Sequence, residues 1–265
     1  MKLTFLSSMI LLMGASLLAY AGTDMKEMAI TPTLRTDSGF YAGVYGGAQF
    51  DTDYGNQRQT LSGTPASAGA VGVPAGSNII PSSHFDAGWG GAGGIKFGYT
   101  FNSFGACQGL RLQPALEAEA LYLGTTSTDT LNAVGLTGSG KQSYNSAAWF
   151  VNGILRFKLD SMITPYVGVG VGGQYLTLHS DATIPSLGAH VTGINGSDVD
   201  FAGQALAGFD INLATHWDLF TEYKFIDAVG TDLKVSNVGG TGLDYRYKPD
   251  QIQQHLIVAG VKYNF

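Results

Sequence analysis

From Phe40 to the last residue, apolar side chains recur at every second position in eight separate stretches. They are Phe40–Phe50, Trp89–Phe101, Leu110–Tyr122, Ala147–Phe157, Pro165–Tyr175, Val199–Leu213, Trp217–Phe225 and Ile252–Phe265. A period of two puts successive side chains on opposite faces of an extended strand. In the last stretch Ile257, Ala259, Val261, Tyr263 and Phe265 form a continuous apolar series, while Leu256, Val258, Gly260, Lys262 and Asn264 form a mixed one. The pattern predicts eight strands, each with one apolar and one mixed face.

Charge tests that register. Within the eight stretches the charged residues are Lys96, Arg111, Glu117, Glu119, Arg156, Asp200, Asp210, Asp218, Glu222, Lys224 and Lys262, and all fall on the mixed face. A Lys or Arg facing lipid at the bilayer midplane costs about 2–4 kcal/mol, so this partition is what a membrane barrel requires. A soluble sandwich or lipocalin-like barrel would turn the same apolar face inward. Aromatics decide between the two, because they end the apolar face of nearly every strand as interfacial girdles do. Phe50, Trp89, Tyr122, Trp149, Tyr175, Phe201 and Phe225 would form one girdle. Phe40, Phe101, Phe157, Trp217, Tyr263 and Phe265 would form the other.

The connections alternate between long (51–88, 123–146, 176–198, 226–256) and short (102–109, 158–164, 214–216). Long outer loops and short periplasmic turns complete the expectation of an all-β, eight-stranded, antiparallel, up-and-down transmembrane barrel. Backbone groups in lipid are satisfied only in helices and closed barrels, and no stretch after residue 21 has the roughly 18 continuous apolar residues of a spanning helix.

Composition sharpens this picture. Only 13% of the 265 residues are charged, against 45% hydrophobic, and there are 38 glycines. This excludes a disordered chain, and a net charge of −6 points away from nucleic acid. Met1 and Lys2 precede an apolar run, and Ala19-Tyr20-Ala21 then supplies an A-x-A cleavage pattern. The predicted organisation is a signal peptide over 1–21, a polar periplasmic lead over 22–38 and a barrel over 39–265. The lone cysteine, Cys107, has no intrachain disulfide partner.

The opening Gly39-Phe-Tyr-Ala-Gly-Val-Tyr-Gly-Gly47, the closing Val258-Ala-Gly-Val-Lys-Tyr-Asn-Phe265 and the strand count resemble the small outer-membrane β-barrel family. That family includes the opacity-type adhesins and the transmembrane domain of outer-membrane protein A. The resemblance spans about Gly39 to Phe265. It implies insertion in a Gram-negative outer membrane among its lipids. It also implies an assembly signal at Tyr263 and Phe265, read by the barrel-assembly machinery. With no segment after Phe265 in the sequence, the peptidoglycan-binding role of some relatives is expected to be absent.

Candidate chemistry lies on the inward face. Lys96, Arg111, Arg156, Lys224 and Lys262 stand against Glu117, Glu119, Asp200, Asp210, Asp218 and Glu222, a nearly neutral set. An eight-stranded barrel is only wide enough for side chains to fill, and buried charge must be paired. A polar lumen network is therefore expected from Lys96, Arg111, Glu117, Glu119, Arg156, Asp210, Glu222, Lys224 and Lys262, with Glu117, Glu119 and Glu222 facing Lys96 and Lys224.

Other motifs lack their context. Gly168-x-Gly170-x-x-Gly173 sits inside a strand with no helix after it, and Gly135–Lys141 is followed by Gln142 where a P-loop needs Ser or Thr. Asp51–Asn56 has Gly55 at the fifth position of a calcium loop and Ser62 at the twelfth. The five histidines (His84, His179, His190, His216, His255) are dispersed, and Lys234 stands beside Ser236-Asn237 where a catalytic histidine would serve. No catalytic residue, cofactor or metal is expected. The expected role is a structural surface barrel whose loops meet host or neighbouring-cell surfaces. The alternatives are a narrow porin and, third, a lipid-modifying barrel enzyme.

Overall fold

The computed structural model describes residues 38–51, 57–63, 89–107, 110–133, 136–159, 161–184, 189–230, 232–235, 243–249 and 252–265. The signal peptide, nearly all of the lead, most of the first long connection, the calcium-loop look-alike after Asp51, His84 and Ser236-Asn237 lie outside them.

The described residues form twelve strands in order: β1 (Gly39–Asp51), β2 (Gln57–Gly63), β3 (Trp89–Thr100), β4 (Phe104–Cys107), β5 (Leu110–Ala133), β6 (Leu136–Lys158), β7 (Ile163–Ile184), β8 (Ala189–Asn212), β9 (Trp217–Val229), β10 (Leu233–Val235), β11 (Leu243–Pro249) and β12 (Ile252–Asn264). Eight of these form the barrel. Their order is β3-β1-β12-β9-β8-β7-β6-β5, every pair is antiparallel, and β3–β5 pairing closes the cylinder. The all-β, eight-stranded architecture read from the alternation is the one found.

Closure has a definite stagger. Register partners lead from Asp51 through Gln254, Ile226, Gln204, Gly170, Asn152, Glu117 and Gly98 back to β1 at Tyr41, ten positions below the start. That offset tilts the strands and makes each row of partners a descending spiral. Residues far apart in sequence thereby become wall neighbours.

The apolar series face outward: Val44, Ile95, Leu116, Trp149, Val169, Phe201, Leu219 and Ile257 are all exposed. The mixed series face inward and are buried, including Lys96, Glu117, Glu119, Lys224 and Lys262. The Phe40 ring lies 5.6 Å from Phe97 and 4.8 Å from Tyr99, and Tyr263 lies 5.0 Å from Trp217 and 5.2 Å from Phe265. Phe50 and Trp89 meet at 5.7 Å towards the opposite end.

Three of the expected long connections are instead mostly strand. β5 and β6 stay paired up to Ala133 and Leu136, and β7 and β8 up to Ile184 and Ala189. These extensions are rich in Ser, Thr, Asn and Gly. They lack the apolar alternation that marks a membrane strand, yet hairpin register carries pairing straight through them. The fourth connection behaves alike. β10–β11 keeps the register of β9–β12, since equal numbers of residues separate Ala228 from Leu233 and Tyr247 from Ile252. Gly230, at φ 99°, makes the break between β9 and β10 in a conformation that favours glycine. The Leu243–Lys248 alternation, which suggests a strand above the membrane, forms β11, and β11 also pairs with β2. One short connection differs too, because 102–109 contains β4 against the start of β5.

Candidate functional site

The lumen holds two groups of paired ionic side chains, with a mixed apolar and polar region beyond them. At the short-turn end Arg156 Nε lies 3.2 Å from Asp210 Oδ2, and Lys262 Nζ lies 2.5 Å from the same oxygen. Lys262 is also 3.4 Å from Asp218, which accepts a 3.1 Å hydrogen bond from Asn264 Nδ2. In the middle Lys96 Nζ is 2.9 Å from Glu222 and 3.8 Å from Glu117. Lys224 Nζ is 2.6 Å from Glu119 and 2.5 Å from Glu222. Lys96 also sits 4.0 Å from the centroid of the Phe220 ring, a cation–π contact inside the wall.

Neutral groups complete the middle group. Asn152 Nδ2 donates to Glu117 and Glu119 at 3.2 Å each. Gln204 Nε2 donates to Glu119 at 2.8 Å and to Asn152 Oδ1 at 2.5 Å. Gln204, Asn152 and Glu117 are members of one spiral row, which is why β8, β6 and β5 meet here.

Three tyrosines tie the carboxylates to the wall, and glycine makes each link possible. Tyr41, Gly98 and Glu117 are successive partners across β1, β3 and β5. Tyr41 lies flat over Gly98, where any Cβ would enter its ring, and donates to Glu117 at 2.8 Å. Tyr166, Gly208 and Glu222 repeat the arrangement across β7, β8 and β9, with a 2.7 Å hydrogen bond. Tyr45 crosses Gly94 to reach Glu119 at 2.5 Å. Sequence reasoning missed these phenols. The available signal was tyrosine on the charged face of β1 opposite glycine on the charged face of β3.

Above the ionic groups, towards the long hairpins, the inward face mixes apolar side chains with the buried Gln49, Thr125, Ser146, Gln174, Asp200 and Gln254. Leu121, Leu123, Phe150, Leu176, Ile226 and Leu256 belong to one buried cluster. The alternation drew attention to charges on this face, whereas aliphatic side chains and neutral polar ones share its upper part.

Of the nine expected lumen residues, eight are buried and in contact as described. Arg111 differs: it is exposed at the short-turn end of β5, level with Lys158 and beside β4. The first residues of β5 lie at the rim, where the cylinder opens. Tyr263 and Phe265 sit at the β12–β1 seam, and the Phe265 N–H donates to Phe40 O at 3.0 Å.

The Gly168–Gly173 run lies within β7, where a Cβ at Gly170 would strike the Asn152 amide. Its glycines make room in a narrow cylinder. Among the described residues no three His, Cys, Asp or Glu side chains converge as a metal-holding group.

No family model matches the chain. It is 27% identical over 225 residues to a protein of Gluconacetobacter diazotrophicus described as "Outer membrane protein", covering 79% of this chain and 54% of that one. The chain therefore spans about half the length of that relative. Among solved structures it is similar to Neisserial surface protein A, with 14% identity and a TM-score of 0.33 over 86% of this chain and 99% of that one. It is also similar to the attachment invasion locus protein of Yersinia pestis, crystallised with the heparin analogue sucrose octasulfate, with 11% identity and a TM-score of 0.31 over 86% and 99%. The outer membrane protease of Escherichia coli gives 9% identity and a TM-score of 0.42 over 88% and 99%.

With an apolar wall outside, an ionic interior and closed strand pairing, this is a small outer-membrane β-barrel protein. Its outward side chains meet membrane lipid.

Proposed function

We propose that this protein is a non-conducting surface barrel whose cylinder anchors long hairpins, and that those hairpins recognise other surfaces. The lumen carries the reading. Its cations lie against carboxylates, its remaining length holds buried aliphatic, aromatic and neutral polar side chains together with Asp200, and Tyr41, Phe150, Phe220, Lys224 and Leu256 are fully buried. A selective pore would instead need a hydrated path lined by charge of one sign. The projecting β5–β6 and β7–β8 hairpins supply an area for contact with host or neighbouring cells, and this role needs no catalysis.

Two measurements test the proposal. Reconstituted in planar bilayers, the barrel should give no steady large openings, and such openings would favour a porin. Cells displaying the intact protein should bind a target surface better than cells displaying versions trimmed at 128–141 or 179–194. Equal binding would remove the recognition role. The same reading makes Tyr263 and Phe265 the assembly signal, so Phe265→Ala should lower the amount of folded protein in the outer membrane.

A further inference from the structure

One level of the upper lumen, towards the long hairpins, gathers polar side chains from several strands. Gln174 and Asp200 are register partners across β7 and β8. Ser146 on β6 stands opposite Leu176, one inward position above Gln174. Thr125 on β5 stands opposite Tyr144, one inward position above Ser146. Each step up offsets the descent of the register rows, so these four stay near one height on adjacent strands. Across the cylinder β12 faces β6. Gln254 belongs to the row that reaches Asn152, and half of the ten-residue stagger lifts its level on β6 to residue 147, beside Ser146.

All five side chains are buried. Neither amide atom of Gln174 has a hydrogen-bond partner among the described residues, and the same holds for Thr125 Oγ1, Ser146 Oγ and Gln254 Oε1. Buried polar atoms left unmatched are costly, which points to a guest that matches them. The lumen lysines are engaged lower down, where Lys96 and Lys224 meet Glu222 and Glu119. Leu121 and Ile226 follow Glu119 and Lys224 upward along β5 and β9, and with Leu256 they separate the two levels.

Two observations make the guest a cation. With Arg111 out at the rim, the buried charged residues described in the lumen are six carboxylates and four cations, and buried charge is either paired or holds a metal. The unmatched atoms are also mostly oxygens, two amide carbonyls and two hydroxyls beside the Asp200 carboxylate. Such oxygens suit a hard cation. Ca2+ accepts roughly six to eight of them in flexible geometry, whereas Mg2+ demands a near-ideal octahedron and gives up its water reluctantly.

We propose that this level is a calcium site, with Asp200, Gln174 Oε1 and Ser146 Oγ as ligands from adjacent strands and with Thr125 and Gln254 completing the shell through bound water.

One carboxylate among neutral oxygens sets the affinity at the weak end for calcium, a Kd of about 1 mM. The full chain is folded in vesicles of phosphatidylcholine, which carry no net charge, and unfolded in urea with tryptophan fluorescence as the readout. At about 10 mM, Ca2+ should raise the folded-to-unfolded ratio about tenfold over NaCl of equal ionic strength. Mg2+ should raise it about twofold or less. Gln174→Leu and Asp200→Asn should each keep the folded gel mobility and lose most of the calcium response. Should either fail to fold, Ser146→Ala serves in its place. No shift in wild type, as for a level that holds only water, would overturn the assignment. So would equal shifts with Ca2+ and Mg2+, or a shift untouched in the folded variants, as for a site out in the hairpins.

Discussion

Lys224 is the cation on which the middle lumen depends, and Lys224→Met is the most informative perturbation of it. The ammonium is fully buried, 2.6 Å from Glu119 and 2.5 Å from Glu222. Methionine nearly preserves the volume and removes the charge, leaving two carboxylates in a closed space. Breaking a buried pair from one side costs about 3–5 kcal/mol, because the remaining ion keeps its desolvation penalty without its partner. The low end applies here. Glu222 keeps Lys96 at 2.9 Å and the Tyr166 hydroxyl at 2.7 Å, and Glu119 keeps Tyr45, Gln204 and Asn152. We therefore expect a loss of about 3 kcal/mol. Glu119→Gln in the same chain removes the stranded charge and should restore all but about 1 kcal/mol. The assay is reversible urea unfolding in lipid vesicles, followed by tryptophan fluorescence and by the heat-dependent gel shift of the folded barrel. Equal stability of Lys224→Met and wild type, or a double variant less stable than the single one, would refute the pairing argument.

Other outcomes follow from the same geometry. Gly98→Ala and Gly208→Ala should each destabilise by about 1–3 kcal/mol, by lifting Tyr41 off Glu117 and Tyr166 off Glu222. Tyr41→Phe added to Gly98→Ala should cost little more, and additive losses in urea titrations would contradict the shared cause. Val169 is 69% exposed near the middle of the membrane stretch Pro165–Tyr175 of β7, so Val169→Arg should cost about 2–4 kcal/mol in bilayers, whereas Val169→Leu should be neutral. Trp149 faces lipid, so in a chain lacking Trp89 and Trp217 brominated acyl chains should quench its fluorescence strongly. Unquenched emission from that folded variant would mean an inward ring.

Much of the barrel was written in local order. Alternation set the faces, because a strand has only two sides and lipid rejects charge. The eight membrane stretches, their antiparallel course and the inward placement of Glu117, Glu119, Lys96 and Lys224 all follow from that rule. Hairpin length was not legible. The residues 123–133 and 189–198 carry no two-sided pattern, and what keeps them extended is pairing with a neighbour. Partner choice inside the lumen was likewise undetermined. Which lysine meets which carboxylate depends on the ten-residue stagger that brings β3, β5 and β9 to one level. The tyrosine bridges need a glycine on the intervening strand, a relation between residues 41 and 98 or 166 and 208 that no local window contains. Sequence alone thus decided which way each side chain faces, since that is a property of one strand. Only closure of the cylinder decided what each inward group touches, since that is a property of eight strands in register.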